Sequence, residues 1–232
     1  MELFVLTVLF GSLWFSQWFF RKFWFHRQSL DIDEIKRLPA DLVCSPVDGV
    51  IVYKKRVDDG QAFSIKLNKQ IGEPWTGGQS GWLIGIYMSV FDRHFVIAPA
   101  SGTNTSLYFK TDKNLPMMDL FEYVRFYALS ITSKRMAENA EEYVDNNERL
   151  KLDWSSGIKM LVIGDANVNK IDQEPGLGDG ESIWARGDKL LFIRRGSQCD
   201  IFIPDSVGSP IESIAVGRKV KAGTPIAAGW RG

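Results

Sequence analysis

The sequence predicts a mainly β protein with one helical insertion, an α+β domain of the compact barrel or sandwich type, preceded by an N-terminal membrane helix. Short runs of β-branched and aromatic residues recur along most of the chain and are separated by glycine and proline, as in small barrels and sandwiches. One stretch has helical periodicity instead, and the N-terminus is apolar. With 232 residues, of which 45% are hydrophobic, the chain can bury one substantial core.

The N-terminal segment, residues 1–28, has the most extreme composition. Residues 3–20 carry no charge, and Arg21 and Lys22 follow directly. A helix of that length would be about 27 Å long, close to the thickness of the hydrocarbon layer. Positive charge follows the apolar run instead of preceding it, which disfavours a cleaved signal peptide. We expect an uncleaved anchor, either spanning or lying in the interface, that holds the domain at the cytoplasmic face of a membrane.

A polar neck, residues 29–40, joins this anchor to the domain at 41–232. Ile32, Ile35 and Leu38 recur among charged residues in the neck. This spacing predicts a short amphipathic helix that ends before Pro39.

Within the domain, apolar runs predict a series of short strands. Two such runs flank residues 46–49, where an Asp-Gly pair favours a tight reversal. The tail at 216–227 is typical of a hairpin that closes a small barrel. Helical spacing between about residues 117 and 143 predicts the insertion. Further strands are expected at residues 62–67, 81–88, 94–98, 105–110, 158–163, 190–193 and 201–203.

Charge and cysteine content exclude several classes of protein. The chain has 28 basic and 28 acidic residues, so its net charge gives no reason to expect a nucleic-acid partner. Cys44 and Cys199 are far apart, and His26 and His94 are the two histidines. These numbers exclude a disulfide scaffold, and we expect no metal site. A reducing compartment suits this composition best.

The dipeptide Gly196-Ser197 is the first candidate for chemistry. It lies between two strand-like runs, which predicts a bend or bulge with its backbone held by neighbouring strands. A serine held in this way after a glycine can attack its own preceding carbonyl. The alternative is an inert β-bulge on a polar edge.

His94 is the one histidine outside the membrane segment, and Asp92 precedes it by two positions. A single histidine on an apolar strand is often only a core residue. Asp48 and Ser197 are also placed at the ends of predicted strands. An acid, a base and a nucleophile are therefore available, which is the minimum set for activating a serine.

Four separate motifs carry a resemblance to a known family. They are SPVDG at residues 45–49, FDRHFVIAPASG at 91–102, NNER at 146–149 and RRGSQCDIFIP at 194–204. Their order and approximate spacing are similar to those of phosphatidylserine decarboxylase precursors, over roughly residue 42 to the C-terminus. An accidental match of four ordered motifs is far rarer than that of one.

The resemblance implies that Ser197 is the source of a covalent pyruvoyl cofactor. Its Oγ would attack the carbonyl of Gly196, and elimination and hydrolysis would split the chain into residues 1–196 and 197–232, which stay associated. The pyruvoyl group would form a Schiff base with phosphatidylserine in the membrane and accept electrons as CO2 leaves, giving phosphatidylethanolamine. Whether two copies form a homodimer stays open.

The same resemblance assigns roles to other residues. His94, Asp48 and Asp92 are the candidates for proton transfer, with His94 as the acid that protonates the product carbanion. Independently of the resemblance, Arg93 and Arg195 are candidates for binding a phosphate or carboxylate, because guanidinium matches either group in a bidentate way. A solvated basic edge is the alternative for both arginines.

The chain also departs from the family pattern. Many family members have a second histidine three positions after the first, and here that position is Ile97, which cannot transfer a proton. Self-cleavage then depends on His94 or on the two aspartates. Two alternatives are kept: a divergent relative that acts on another amino head group or never cleaves, and a non-enzymatic module like biotinyl or lipoyl barrels.

Overall fold

The computed structural model describes residues 7–8, 11–12, 31–58, 78–89, 92–111, 113–118, 122, 125–126, 143, 146–166, 168, 171–177, 182–193 and 196–229. Within these ranges lie a short helix, α1 (Ile32–Arg37), and fourteen strands. The strands are β1 (Leu42–Cys44), β2 (Gly49–Val57), β3 (Gly81–Met88), β4 (Phe95–Ile97), β5 (Gly102–Phe109), β6 (Arg149–Trp154), β7 (Lys159–Gly164), β8 (Ile171–Gln173), β9 (Ser182–Trp184), β10 (Lys189–Ile193), β11 (Ser197–Pro204), β12 (Ser209–Pro210), β13 (Lys219–Val220) and β14 (Pro225–Ala228).

The strands form three sheets. The largest has eight strands in the order β13-β2-β3-β11-β7-β6-β5-β9, and two three-stranded sheets have the orders β1-β14-β12 and β4-β10-β8. Within the described part of the chain, the large sheet ends at β13 and β9 and does not close on itself. The prediction of a mainly β fold is confirmed, and the architecture is compatible with a sandwich and not with a closed barrel.

Both faces of the large sheet are buried at its central strands, whereas β5 and β9 are partly exposed. A first core joins side chains of all three sheets; it includes Val43, Ile86, Met88, Val96, Met160, Val162, Leu191, Cys199, Ile201 and Ile226. A second core covers the opposite face and contains Met117, Met118, Phe126 and Tyr143 from the region of the predicted insertion. Strand β11 is buried along its whole length because it lies between these two cores.

Helix α1 packs against the domain. Asp31 caps it by accepting from the backbone N–H of Glu34 at 3.0 Å. Ile35 packs on Gly223, where an added Cβ would fall 2.4 Å from the Ile35 Cδ1 atom and where φ is +87°. The buried guanidinium of Arg186 donates to the carbonyl oxygens of Ile35, Leu38, Pro39 and Leu42.

Several predicted strands are present at almost the predicted positions. The prediction for 81–88 matches β3, and those for 94–98, 158–163 and 190–193 overlap β4, β7 and β10. The prediction for 201–203 covers only the end of β11.

Two predicted hairpins are wrong. The runs on either side of residues 46–49 become β1 and β2, which belong to different sheets, so this turn carries the chain from one sheet to another. In the tail, β13 pairs with β2, whereas β14 pairs with β1 and β12. Each strand finds its partner elsewhere because its apolar side chains complete a core that local pairing would leave open.

Some predictions lie outside the described residues. These are the anchor at 1–28 apart from residues 7–8 and 11–12, the strand at 62–67, most of the insertion at 117–143, and Arg195. In the ranges described, no helix is both long and apolar enough to cross a membrane.

Candidate active site

Ser197 is the first residue of β11, at the place where the chain leaves one sheet and enters another. The preceding strand β10 belongs to the small β4-β10-β8 sheet. Ser197 is fully buried and pairs with Met88 of β3 on one side and with Gly164 of β7 on the other. Its hydroxyl lies 3.8 Å from the Sδ atom of Met88. The predicted support from neighbouring strands is confirmed at Ser197, and from this residue onward β11 keeps a regular register with both neighbours.

Gly196 is enclosed by polar groups. Its carbonyl oxygen accepts a hydrogen bond from the backbone N–H of Asp165 at 3.3 Å. A Cβ added to Gly196 would fall 3.3 Å from the Tyr87 hydroxyl and 3.6 Å from Asp165 Oδ2. A larger residue here would press on the Tyr87 hydroxyl and lie in contact with Asp165, so the geometry favours glycine at the position that precedes the serine.

The carboxylate of Asp165 is buried and held by several donors. Oδ1 accepts from the backbone N–H groups of Ala166 at 2.7 Å and Met117 at 3.0 Å. Oδ2 accepts from the Tyr87 hydroxyl at 3.4 Å. Asp165 and Tyr87 were not predicted from the sequence. The available signal was an aspartate two positions after the apolar run at 158–163, where a charge needs buried partners.

Asp48 and Arg93 form a buried ion pair. Arg93 Nε lies 2.6 Å from Asp48 Oδ2, and Arg93 Nη2 lies 2.6 Å from Oδ1, which also accepts from the Ala222 N–H at 2.8 Å. The side chains are 12% and 6% exposed, for Asp48 and Arg93 respectively. Removing one partner from such a pair leaves an uncompensated buried charge, so each ion holds the other in place.

Asp92 and His94 lie in the segment that follows β3. Asp92 Oδ2 accepts from both the N–H and the hydroxyl of Ser89, at 2.8 and 2.6 Å. His94 is buried, and its Nδ1 lies 2.8 Å from the carbonyl oxygen of Asp92. The His94 carbonyl accepts from Ile193 N–H, which brings this segment beside the end of β10, three residues before Gly196.

The predicted residues therefore fall into separate groups. Asp48 is held by Arg93 and Ala222, and Asp92 by Ser89, so neither carboxylate is hydrogen-bonded to Ser197. Ile97 is fully buried in β4 and packs with Ile35. Among the described residues, the side-chain polar groups nearest to Gly196 are those of Tyr87 and Asp165 instead.

A second polar cluster lies on the other face of β11 from the Ser197 side chain. Gln198 Nε2 donates to Tyr53 Oη at 2.9 Å and to Asp200 Oδ1 at 2.7 Å, and Tyr143 Oη donates to Gln198 Oε1 at 2.9 Å. Burial raises the pKa of Asp200 from 3.8 to about 7, against the opposing effect of its hydrogen bonds from Tyr53 and Gln198. Among the described residues, no group of His, Cys, Asp or Glu is arranged to hold a metal ion.

Comparison with known proteins decides the family. A sequence model described as phosphatidylserine decarboxylase matches residues 15–228. The chain belongs to the phosphatidylserine decarboxylase family. The match includes β3, the His94 segment and the Gly196-Ser197 junction, so this is a decarboxylase-family enzyme.

Curated members of the phosphatidylserine decarboxylase family are similar over most of the chain. A phosphatidylserine decarboxylase proenzyme of Geotalea uraniireducens is 27% identical over 188 residues, which is 79% of this chain and 68% of the relative. One of Streptomyces avermitilis is 29% identical over 203 residues, covering 86% and 70%. One of Syntrophotalea carbinolica is 25% identical over 225 residues, covering 96% and 83%. These relatives are named as proenzymes, that is, as precursors of the active form.

Proposed function

We propose that this protein is a phosphatidylserine decarboxylase that forms its own pyruvoyl cofactor by cutting the bond between Gly196 and Ser197. The observation that supports this most is the setting of that bond. A serine hydroxyl follows a glycine whose carbonyl already accepts a hydrogen bond, and the serine begins a strand that is paired with β3 and β7. The proenzyme names of the relatives fit a reaction that consumes part of the chain.

The proposed cut needs only the chain and water. The Ser197 oxygen forms a bond to the Gly196 carbonyl carbon, the C–N bond breaks, and the Ser197 nitrogen takes up a proton, which gives an ester. Loss of the Ser197 α-proton then breaks the Cβ–Oγ bond and leaves Gly196 with a free carboxylate. Hydrolysis of the resulting enamine releases ammonia and leaves the pyruvoyl carbonyl at position 197.

The residues around Ser197 fit this group. Burial excludes bulk water from position 197, and pairing with β3 and β7 fixes the backbone on both sides. When formed, the pyruvoyl group supplies an electron sink for loss of CO2 from an amine-bearing substrate. We assign proton delivery to His94, whose segment lies beside the end of β10. Phosphate or carboxylate binding is assigned to Arg195, because Arg93 is already paired with Asp48.

The fold also fits an enzyme whose two polypeptides remain associated after self-cleavage and act at a membrane. Within residues 197–229, β11 pairs with β3 and β7, β13 with β2, and β14 with β1. The smaller product would thus be held by strands of the larger one in two sheets. We propose that the apolar segment 1–28 places this domain on the cytoplasmic face, where phospholipid substrate is available.

Replacing Ser197 tests the proposal directly. The Ser197→Ala chain should remain at the full 26.3 kDa and be inactive, because no oxygen is available to attack Gly196. Cys199→Ala is the matched control, since Cys199 is buried on the same strand and its side chain lies in the first core. Denaturing electrophoresis and intact mass are measured before and after phenylhydrazine, which reacts with a pyruvoyl carbonyl.

The proposal requires a wild-type chain that is cut and modified by phenylhydrazine, and a Cys199→Ala chain that behaves in the same way. A wild-type protein that stays at full mass and is unchanged by phenylhydrazine would contradict it. Phosphatidylserine turnover by the uncut Ser197→Ala chain would equally remove Ser197 from the mechanism.

A further inference from the structure

We propose that Asp165 is a positioning residue for self-cleavage: its backbone N–H stabilises the negative charge that develops on the Gly196 oxygen, and its carboxylate holds that N–H in place. This role rests on the proposed function. It answers a question that Ile97 raises, because a chain without the second histidine needs other groups to favour the attack of Ser197.

The N–H of Asp165 points at the oxygen that must become negative. Its nitrogen lies 3.3 Å from the Gly196 oxygen before any reaction. When the Ser197 oxygen adds to the carbonyl carbon, the π electrons move onto this oxygen, and a donor already aimed there stabilises the charge without reorganisation. When the C–N bond breaks, those electrons return to the carbonyl. Asp165 transfers no proton in this step.

The position of this N–H follows from the sheet. Gly164 is the last residue of β7 and pairs with Ser197, so the next amide of the chain, that of Asp165, lies beside Gly196. Val168 N–H donates to the Asp165 carbonyl at 2.8 Å and closes a turn directly after the strand. The donor is therefore set by the pairing of β7 with β11.

The side chain of Asp165 stabilises the same turn. Its Oδ1 binds the N–H of Ala166, the next residue, and that of Met117, which comes from a different part of the chain. The bond to Ala166 restrains the peptide unit that follows the Asp165 Cα, and the bond to Met117 fixes the turn against a second segment. These hydrogen bonds require an acceptor oxygen at the Oδ1 position but do not require a negative charge.

A role for the carboxylate as the base that activates Ser197 does not fit the geometry. The Ser197 hydroxyl lies toward Met88 Sδ, and Met88 belongs to the first core. The Asp165 carboxylate is bonded to Tyr87, which belongs to the second core on the opposite face. The two groups are therefore separated by the sheet, and Asp165→Asn should preserve function whereas Asp165→Ala should not.

The test measures self-cleavage of the full chain after synthesis, by the loss of the 26.3 kDa species. Removing a donor to an oxyanion typically slows a reaction about 10²–10³-fold. Asp165→Ala keeps the backbone N–H but lacks the carboxylate that holds it in place, so we expect cleavage to slow by roughly 10-fold or more. Asp165→Asn keeps the acceptor and should cleave within about threefold of the wild type. Asp205→Asn, at the far end of β11 and exposed, is the control and should cleave normally.

Hydroxylamine identifies the step that is affected, because it cuts an ester at residue 196 but not an amide. The proposed role acts on ester formation, so Asp165→Ala should accumulate no hydroxylamine-sensitive chain. Circular dichroism and thermal unfolding establish that the variants are folded. If Asp165→Ala is unfolded, Asp165→Ser serves instead, because its short hydroxyl is a weaker acceptor, and it should cleave more slowly than Asp165→Asn.

Three results would overturn the role of Asp165. They are wild-type cleavage rates in a folded Asp165→Ala or Asp165→Ser chain, an ester that accumulates in either, or an Asp165→Asn chain as slow as Asp165→Ala, which would make the charge essential. A wild-type chain that is never cut would overturn the proposed function itself. The wild-type sample in the same experiment distinguishes that failure from the other three.

Discussion

Asp200 is a carboxyl group buried in the sheet, three residues after Ser197, and its surroundings favour the neutral form. Its partners are Gln198 and Tyr53, and Lys55 is the cation that acts on it. Burial outweighs these partners and raises its pKa from 3.8 to about 7. A residue of this kind makes the folded state bind a proton that the unfolded state has already lost.

The pH dependence of stability should reveal this proton. Between about pH 4 and 7 the folded state holds more protons at Asp200 than the unfolded state, so the contribution of Asp200 falls as the pH rises, by up to about 1.4 kcal/mol per unit. Asp200→Asn should remove this component. The measurement is the free energy of unfolding in urea at several pH values, in a Ser197→Ala background that stays one chain.

At each pH, the free energy of unfolding is compared between the chains with and without Asp200→Asn. The other carboxyl groups titrate in both proteins, so their contribution cancels. Asp205 gives a control of opposite sign, because Arg56 lowers its pKa, and its favourable contribution is lost as the pH falls. A difference in stability between the chains with and without Asp200→Asn that does not change from about pH 5 to pH 8 would contradict the prediction.

The sequence predicts candidate reacting residues but not their neighbours. Ser197 and His94 were found because short motifs surround them. Asp165 and Tyr87 were not, because each reaches Gly196 only when β7 and β3 flank β11. A proton-transfer role for Asp48 stays a prediction, and its pairing with Arg93 depends on a contact across 45 positions that spacing does not reveal.

Among the elements, strand β11 shows where the pattern of apolar and polar residues fails to predict the bounds of a strand. The prediction began at residue 201 because Gln198 and Asp200 look unsuitable for a buried strand. Both are buried with partners, because Gln198 bonds Tyr53 and Tyr143, and Asp200 bonds Gln198 and Tyr53. Strand β6 was missed although Leu150, Leu152 and Trp154 alternate with polar or charged residues in the expected way.

Helix α1 should depend on Arg186 for its order. Six residues are too few for a stable isolated helix, and its C-terminal carbonyls are bound by this guanidinium. Arg186→Ala should weaken this attachment by about 2–3 kcal/mol, the order expected for lost hydrogen bonds to a charged group. Hydrogen exchange at the amides of Ile35 and Leu38 should accelerate by roughly 30-fold or more.

Lys36→Ala is the matched control for this prediction, because Lys36 also joins the helix to the domain, through Asp188, but is 42% exposed. Exposed pairs contribute little, so exchange should change only slightly. Unchanged protection of Ile35 and Leu38 in Arg186→Ala would show that packing of Ile35 on Gly223 is sufficient.

For the whole molecule, composition and periodicity predicted the fold class but not the path of the chain. A tight reversal was expected at residues 46–49 and a bend or bulge at Gly196-Ser197, and at each place the chain passes from one sheet to another. Turn chemistry specifies the local reversal of the backbone. The choice of partner depends on which pairing completes the two cores, and that is a property of all the strands together.

This topology predicts different refolding before and after the proposed cut. The Ser197→Ala chain should refold from urea at a rate independent of protein concentration. The matured protein must insert β11 between β3 and β7 from a separate polypeptide, so its recovery should fall on dilution. Recovery is measured as native circular dichroism over a range of about 100-fold in concentration. Complete, concentration-independent recovery of the cut protein would contradict this.

The hydrogen bond from Asp165 to Gly196 also sets an order of events during biosynthesis. Residues 165 and 196 are brought together by β7 and β11, so a nascent or partly folded chain does not yet have this contact. Premature scission would produce two polypeptides that had to find each other in the cell. Because the proposed scissile carbonyl meets its proposed donor only after the central strand is in place, we expect completion of folding to act as the checkpoint for maturation.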